Sequence, residues 1–149
     1  MQIDTLPPLE AFPHRVPVEI RFNDIDILGH VNNTVYFSFY DTGKAYYFHD
    51  IVDWEIDWKC VETVIANVDC AYLAPLFFGD DIVVGTRCET LHDRSFKLLQ
   101  VLADRKTGEI KSACETVMVS FDPKTQRSAP MPERWRRALE RSLALNPKE

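Results

Sequence analysis

One carboxylate in this sequence lies close to a predicted helix start. Asp26 precedes Asn33, where a long helix is expected to begin, by seven positions. A carboxylate can attack a carbonyl carbon or activate water for attack, and free backbone N–H groups at a helix start can stabilise an oxyanion. Acyl transfer needs both groups, so the pairing indicates acyl-transfer chemistry.

Other residues of the same loop have structural as well as functional interpretations. Asp24 is expected to turn the loop or to pair with Arg21. Gly29 can adopt a backbone geometry closed to other residues and let a ligand approach the chain, and a plain turn glycine is the alternative. His30 is expected to orient the loop by hydrogen bonds, with donation to a substrate as the alternative.

The loop leads into a proline-free segment from Thr34 to about Asp50 that is predicted to be a helix. Asn32 or Asn33 is its expected N-cap. Apolar side chains point in nearly every direction around it, so a largely enclosed core helix is predicted.

Two residues of this helix are candidates for substrate contact. Tyr36 is expected to be a core residue or to line a substrate pocket. Asp41 sits among apolar residues, and a buried carboxylate is costly without a partner. We therefore expect a buried hydrogen bond or salt bridge at Asp41, with contact to substrate or bound water as the alternative.

Strand-like segments make up most of the remaining chain, and short polar links between them favour antiparallel hairpins. A helix that is apolar on most sides needs a curved sheet wrapped round it, and a second subunit is the simplest cover for its remaining surface. The sequence thus predicts one α+β domain over residues 1–149, with an irregular lead-in at 1–15 and a C-terminal helix at 132–145. The predicted strands are Val16–Phe22, Thr63–Leu73, Asp81–Leu91, Ser95–Asp104 and Glu109–Asp122.

Composition excludes several classes of protein. The 149 residues are 46% hydrophobic, without an apolar run of about 18 residues or a secretory signal, which predicts a soluble cytoplasmic protein with no stable membrane insertion. The net charge of −6 argues against nucleic-acid binding. The four histidines and four cysteines are widely spaced, so we expect no metal site, no cofactor and reduced cysteines. The cysteines are Cys60, Cys70, Cys88 and Cys114.

The run D-I-D-I-L-G-H-V-N-N at residues 24–33, followed by Tyr36 and Asp41, resembles the 4-hydroxybenzoyl-CoA thioesterase family of hotdog-fold acyl-CoA thioesterases. The turn at 75–80, the strand start at 94–96 and the Met-Pro pair before the last helix extend the likeness over roughly residues 16–135. The resemblance implies the hotdog fold, with a curved antiparallel sheet wrapped round a long central helix, and a homodimer or homotetramer with its active sites at the dimer interface.

The resemblance also implies site residues. Asp26 falls on the catalytic aspartate, acting as general base or as nucleophile, and the Asn33 backbone N–H falls on the group that polarises the thioester carbonyl. Some relatives carry histidine at the position of Asn33, and this chain does not. The CoA phosphates need cations, for which Arg94, Lys97 and Arg127 are candidates.

The predicted function is hydrolysis of an acyl-CoA to free acid and coenzyme A. Three alternatives remain open: a thioesterase for acyl carrier protein, a non-catalytic acyl-CoA-binding or sensing module, and a hotdog hydratase. For the hydratase alternative, this sequence lacks the expected second motif, which is an Asp followed five residues later by a His.

Overall fold

The computed structural model describes residues 1–52 and 62–148 as one curved antiparallel sheet packed on a long helix. The helices are α1, Val35–Ile51, and α2, Glu133–Ala144. The strands are β1, His14–Val18; β2, Thr63–Tyr72; β3, Ile82–Leu91; β4, Ser95–Asp104; β5, Ile110–Asp122; and β6, Arg127–Ser128.

The sheet order is β1-β3-β4-β5-β2, with β6 paired to the end of β5. All of the pairs are antiparallel. The sheet therefore ends at β1 on one side and at β2 on the other. Between β1 and β2 the chain crosses the concave face as α1.

The first strand differs from its prediction. It starts two residues earlier and ends at Val18, and Phe22 is 81% exposed instead of facing the core. The backbone N–H of Arg21 donates to Asp24 Oδ2 (2.7 Å), which closes a 3-10 turn over Phe22–Asp24 and ends the extended conformation. Ile20 is buried and Val18 is partly buried, and both pack in the core cluster next to α1.

Helix α1 buries one face against the sheet and leaves the other open. Tyr36, Tyr40 and Tyr47 are almost fully buried, whereas Phe37 and Tyr46 are exposed. The prediction of a largely enclosed helix is therefore wrong for the single chain, because the sheet of one chain curves round only half of it. The enclosed face approaches the sheet closely at Gly43, where a Cβ atom would lie 2.5 Å from Val84 Cγ1.

The convex face of the sheet is covered by residues before β1. Leu9 and Phe12 pack on Val83, Leu99 and neighbouring apolar residues of the sheet. The lead-in thus forms two 3-10 turns, Ile3–Thr5 and Leu9–Ala11, and shields this face from water.

Helix α2 closes one end of the molecule. It is amphipathic, with Ala138 and Leu139 buried and Trp135 against Phe48 of α1 at 5.2 Å between ring centroids. No helix among the described residues is long and apolar enough to cross a membrane. The curved antiparallel sheet around a long helix confirms the predicted hotdog fold.

Candidate active site

The loop between Ile25 and Val31 is a tight turn set by its backbone. Ile25 and Val31 form an isolated antiparallel bridge, and inside it Asp26 N–H donates to His30 O (3.2 Å). Gly29 N–H donates to Asp26 O (3.0 Å), and Gly29 has φ +83°, a conformation that L side chains rarely adopt. The turn geometry predicted for Gly29 is therefore present.

The Asp26 carboxylate is oriented by two donors. Leu28 N–H donates to Oδ1 (2.9 Å), and Asn32 Nδ2 donates to Oδ2 (3.1 Å). Asp26 is only partly buried. Each oxygen keeps accepting capacity, because a carboxylate oxygen can accept more than one hydrogen bond. The carboxylate is thus held in place and still open to a proton or an electrophile.

Asp24 has a structural role. It is 2% exposed and accepts from Arg21 through both the backbone N–H (2.7 Å) and the guanidinium (3.3 Å). Its backbone carbonyl accepts from Asn32 N–H (2.9 Å). The two acids of the loop therefore differ, since Asp24 supports the turn and Asp26 faces the open side.

The turn before α1 includes a backbone donor without a partner among the described residues. Asn32 Oδ1 accepts from Thr34 N–H (2.9 Å) and Thr34 Oγ1 (2.6 Å), which closes this turn. The N-cap of α1 is Thr34, so the prediction of Asn32 or Asn33 as N-cap is wrong, because the chain makes one further turn before the helix begins. The carbonyl of Asn33 accepts from Tyr72 Oη (2.9 Å), which fixes the Asn33–Thr34 peptide, and the carbonyl of Asn32 accepts from Val35 N–H (3.0 Å), which fixes the Asn32–Asn33 peptide. Within the described residues the Asn33 N–H donates to no protein group, and it lies at the positive end of the helix dipole.

These groups line one cleft of about 410 Å³. Its volume is within the usual range for small-molecule sites, roughly 300 to 1,000 Å³. Residues from the loop, the start of α1 and the end of β2 contribute to its walls. They are Asp26, Leu28, His30, Val31, Asn33, Tyr36, Tyr72, Leu73, Ala74 and Pro75.

Two tyrosines form the inner wall of this cleft. The rings of Tyr36 and Tyr72 meet edge to face with centroids 4.9 Å apart. Burial raises the pKa of Tyr36, and desolvation, followed by the nearby Cys70 thiol, raises that of Tyr72 to about 12. Both phenols are therefore neutral near pH 7.

His30 lies at the mouth of the cleft. Its Nδ1 is 3.4 Å from the Val31 carbonyl, and its ring meets Phe77 edge to face at 6.5 Å. These contacts fit the orienting role expected for His30.

The structure brings Tyr36 to the cleft but places the other predicted substrate contacts elsewhere. The Asp41 side chain is 66% exposed and pairs with Lys44 Nζ (2.9 Å), so the expected buried carboxylate is wrong, because Asp41 lies on the open face of α1. Arg94 Nη1 donates to Ser128 O (2.9 Å), and Lys97 pairs with Glu115 (3.5 Å).

Arg94 and Lys97 lie at the far end of the sheet. Tyr72 of β2 pairs with Ser112 of β5, and Ser112 pairs in turn with Leu102 of β4. Lys97 lies on β4 five residues before Leu102. At the rise of an extended strand this is about 17 Å from the cleft. Within one chain neither cation is beside Asp26.

Two residues of the cleft region were missed from sequence. Asn32 was interpreted only as a cap, whereas its amide also donates to Asp26. Tyr72 ends a strand 39 residues after Asn33, and only the packing of β2 against α1 brings them together. The described residues contain no cluster of three or more His, Cys, Asp or Glu side chains suited to a metal ion.

Comparison with known proteins gives a consistent picture. The family model described as "Thioesterase-like superfamily" matches residues 20–139. A thioesterase from Thermus thermophilus, solved in complex with coenzyme A and Zn, is 31% identical, with a TM-score of 0.78 over 91% of this chain and 98% of that one. The PA5185 protein of Pseudomonas aeruginosa PAO1 is 29% identical, with a TM-score of 0.81 over 91% of this chain and 95% of that one. The long-chain acyl-CoA thioesterase FadM of Escherichia coli K12 is 23% identical over 85% of this chain and 96% of its own length.

Proposed function

Because this chain belongs to the thioesterase-like superfamily and is a thioester hydrolase, we propose that it hydrolyses an acyl-CoA to a free acid and coenzyme A. One observation carries the proposal most directly. Asp26, which supplies a carboxylate, and Asn33, whose N–H has no partner among the described residues, line the same cleft. The names of two relatives, a thioesterase bound to coenzyme A and a long-chain acyl-CoA thioesterase, support CoA as the carrier.

Asp26 is the proposed catalytic carboxylate. As general base it would take a proton from water that attacks the thioester carbonyl, and as nucleophile it would form a mixed anhydride that water then opens. The Leu28 and Asn32 donors hold the carboxylate in either route. Label from isotopically labelled water found in the Asp26 carboxylate after a single turnover would establish the anhydride route, because only water that opens the anhydride at the Asp26 carbonyl leaves its oxygen there.

The Asn33 N–H is the proposed oxyanion donor. Negative charge develops on the carbonyl oxygen in the transition state, and a fixed donor that meets it contributes about 3 kcal/mol in comparable sites. Val35 N–H donates to the Asn32 carbonyl (3.0 Å) and so holds the peptide that carries this N–H, while Tyr72 and Asn32 hold the following peptide. Gly29 and His30 shape the loop that closes over the thioester.

The second half of the site is proposed to come from another copy of this chain. The edge strand β2 carries exposed Val64, Ile65 and Val68, and Ile27 at the tip of the loop is fully exposed. Antiparallel pairing of two β2 edges would join two sheets and cover these apolar side chains. We propose a homodimer of this kind, with a homotetramer as its further assembly.

Such pairing gives the distant cations a role. It would place the Thr63 end of one β2 beside the Tyr72 end of the other, so the second copy's sheet would present the end that carries Arg94 and Lys97 near the cleft. Together with Asp41 on the open face of α1, these groups are the proposed contacts for the CoA moiety and the outer part of the substrate.

The acyl group is the part of the substrate to be identified by experiment. The resemblance to the 4-hydroxybenzoyl-CoA thioesterase family predicts an aromatic acyl group. The relative FadM is named as a thioesterase for long-chain acyl-CoA. Thiol release from short, long and aromatic acyl-CoAs, and from the matching acyl carrier protein thioesters, tests both carrier and acyl class. We expect turnover of at least one acyl-CoA class, and no release from any CoA thioester would overturn the proposal.

A further inference from the structure

Two cysteines lie directly opposite each other on neighbouring strands beside the candidate active site. Cys70 of β2 is paired in register with Cys114 of β5. Cys114 is almost fully buried and Cys70 is half-buried, and both are free thiols. Both belong to the apolar cluster on the concave face that also contains Tyr36.

The backbone pattern makes this position suitable for a covalent bridge. Leu73 N–H donates to Lys111 O (2.9 Å). Tyr72 and Ser112, the next residue inward on each strand, face each other as a pair that exchanges no backbone hydrogen bond. Hydrogen-bonded and non-hydrogen-bonded pairs alternate along two antiparallel strands. Cys70 and Cys114, two residues further along, are therefore also a non-hydrogen-bonded pair. Cα atoms of such pairs are about 4.5 Å apart with their side chains close together. That spacing is within the range of disulfides, roughly 4.4 to 6.8 Å.

We propose that Cys70 and Cys114 form a redox site, at which a peroxide converts the two thiols into a reversible disulfide between β2 and β5. The site is separate from the proposed thioester hydrolysis, which uses neither sulfur.

The reaction consumes one peroxide per pair. The Cys70 thiolate attacks one peroxide oxygen; an S–O bond forms, the O–O bond breaks, and the leaving hydroxide takes a proton to become water. The Cys114 sulfur then attacks the Cys70 sulfur; the S–S bond forms, the S–O bond breaks, and hydroxide leaves with the Cys114 proton as a second water. Two thiols and one hydrogen peroxide thus give one disulfide and two waters.

The pKa shifts of the two thiols indicate which sulfur attacks the peroxide and which one then forms the disulfide. Donation from the Cys114 thiol lowers the pKa of Cys70 to about 6 against the effects of burial and the neighbouring Asp69. The same contact raises the pKa of Cys114. The two sulfurs therefore share one proton near pH 7, with Cys70 as the nucleophile and Cys114 as the thiol that resolves its sulfenic acid.

Cys88 is the matched control within the chain. It is buried, its pKa is raised to about 12 by desolvation, and its partner across the strand is Leu98. It lacks both the thiolate and an opposing thiol, so we expect it to remain reduced.

The test is peptide mapping of the folded, reduced protein after brief treatment with equimolar hydrogen peroxide and alkylation. Cys60, which lies outside the described residues, shares a tryptic peptide with Cys70, so the work is done with Cys60→Ala. We expect a Cys70–Cys114 crosslink that dithiothreitol reverses, its persistence in Cys88→Ser, and its loss in Cys114→Ser with a sulfenic acid at Cys70 that dimedone traps.

Three results would overturn the proposal: Cys70 and Cys114 both recovered as alkylated thiols, a crosslink that joins other cysteines, or a Cys70–Cys70 crosslink between chains on a non-reducing gel. The mapping of the Cys60→Ala protein decides the matter even if Cys114→Ser does not fold.

Discussion

At the scale of single residues, the two acids of the loop divide structure and chemistry between them. Asp24 is buried and accepts from Arg21, whereas Asp26 faces the cleft with two donors fixing its oxygens. The same residue types, two positions apart, thus have different environments. The difference arises because Asp24 points back to the end of the preceding strand and Asp26 points into the turn closed by Gly29.

Asn32 offers a test of how the carboxylate is held. In Asn32→Asp the new side chain keeps an oxygen for Thr34 N–H but loses the amide that donates to Asp26 and places a second negative charge beside it. We expect kcat/KM to fall on the order of tenfold, equivalent to about 1.4 kcal/mol, with the melting temperature close to that of wild type. Steady-state thiol release and thermal unfolding measure the two effects.

Asn32→Ala is the control for that substitution, because it removes the acceptor for Thr34 N–H as well as the donor to Asp26 and should lower both activity and stability. Wild-type activity in Asn32→Asp would show that the Asn32 amide does not position Asp26.

At the scale of elements, the close approach of α1 to the sheet is set by a glycine. A Cβ at Gly43 would lie 2.5 Å from Val84 Cγ1 and 3.1 Å from Gln100 Nε2, and that amide donates to the Tyr40 carbonyl (3.0 Å). The helix therefore rests on the sheet at the one turn where its surface has no side chain, and this contact helps to fix the position of its N-terminus at the cleft.

Gly43→Ala is expected to destabilise the fold in spite of better helix propensity. Alanine is favoured over glycine in a helix by about 1 kcal/mol, but overpacking a core costs about 1 to 3 kcal/mol. We expect a net loss of about 1 kcal/mol in the free energy of unfolding measured with urea. Ser38→Ala, on the open face of the same helix, should be neutral or slightly stabilising.

Adding Val84→Ala makes room for the new methyl group, so the two substitutions should be less than additive. A Gly43→Ala protein more stable than wild type would show that the helix does not rest on the sheet at this turn.

The hydrophobic pattern predicted the bounds of the helices and strands better than the neighbours of individual side chains. Strands β2 to β5 and both helices lie within a residue or so of their predicted bounds, because alternation and turn residues act locally. The strand before Asp24 was extended too far, because its alternation continues through Phe22 while a side-chain bond from Asp24 turns the chain. Tyr72 beside Asn33 and Cys70 opposite Cys114 depend on packing and register across distant segments, which no local pattern contains.

At the scale of the whole molecule, the edge of β2 is the main feature that no strand of the described residues pairs with. Val68 forms a non-hydrogen-bonded pair with Thr116, by the same alternation as Cys70, so its N–H points away from β5 toward the free edge. A second copy paired along this edge would use that N–H, while the sheet formed by residues 1–52 and 62–148 does not.

Val68→Pro should therefore break the assembly and spare the chain's own sheet. Replacing Val68 with proline removes only the N–H that points to the free edge, and no hydrogen bond between β2 and β5 is lost. Edge strands tolerate proline at such positions. We expect wild type to run as a dimer or larger species in size-exclusion chromatography with light scattering, and Val68→Pro as a folded monomer with weak activity.

Val68→Thr, which keeps the N–H and a β-branched side chain, should retain the wild-type mass. A proline variant with the full wild-type mass and activity would exclude β2 as the assembly edge.

The most direct test of the account is the activity of Asp26→Asn beside that of Asp24→Asn. Asparagine at 26 keeps an acceptor for Leu28 N–H but can neither take a proton from water nor attack a thioester, so thiol release from the best acyl-CoA should fall at least a hundredfold, in line with the usual contribution of a positioned base. Its melting temperature should stay near that of wild type, whereas Asp24→Asn, which weakens the hydrogen bonds between the buried Asp24 carboxylate and Arg21, should lower the melting temperature. Wild-type turnover by folded Asp26→Asn would contradict the assignment of the chemistry to Asp26.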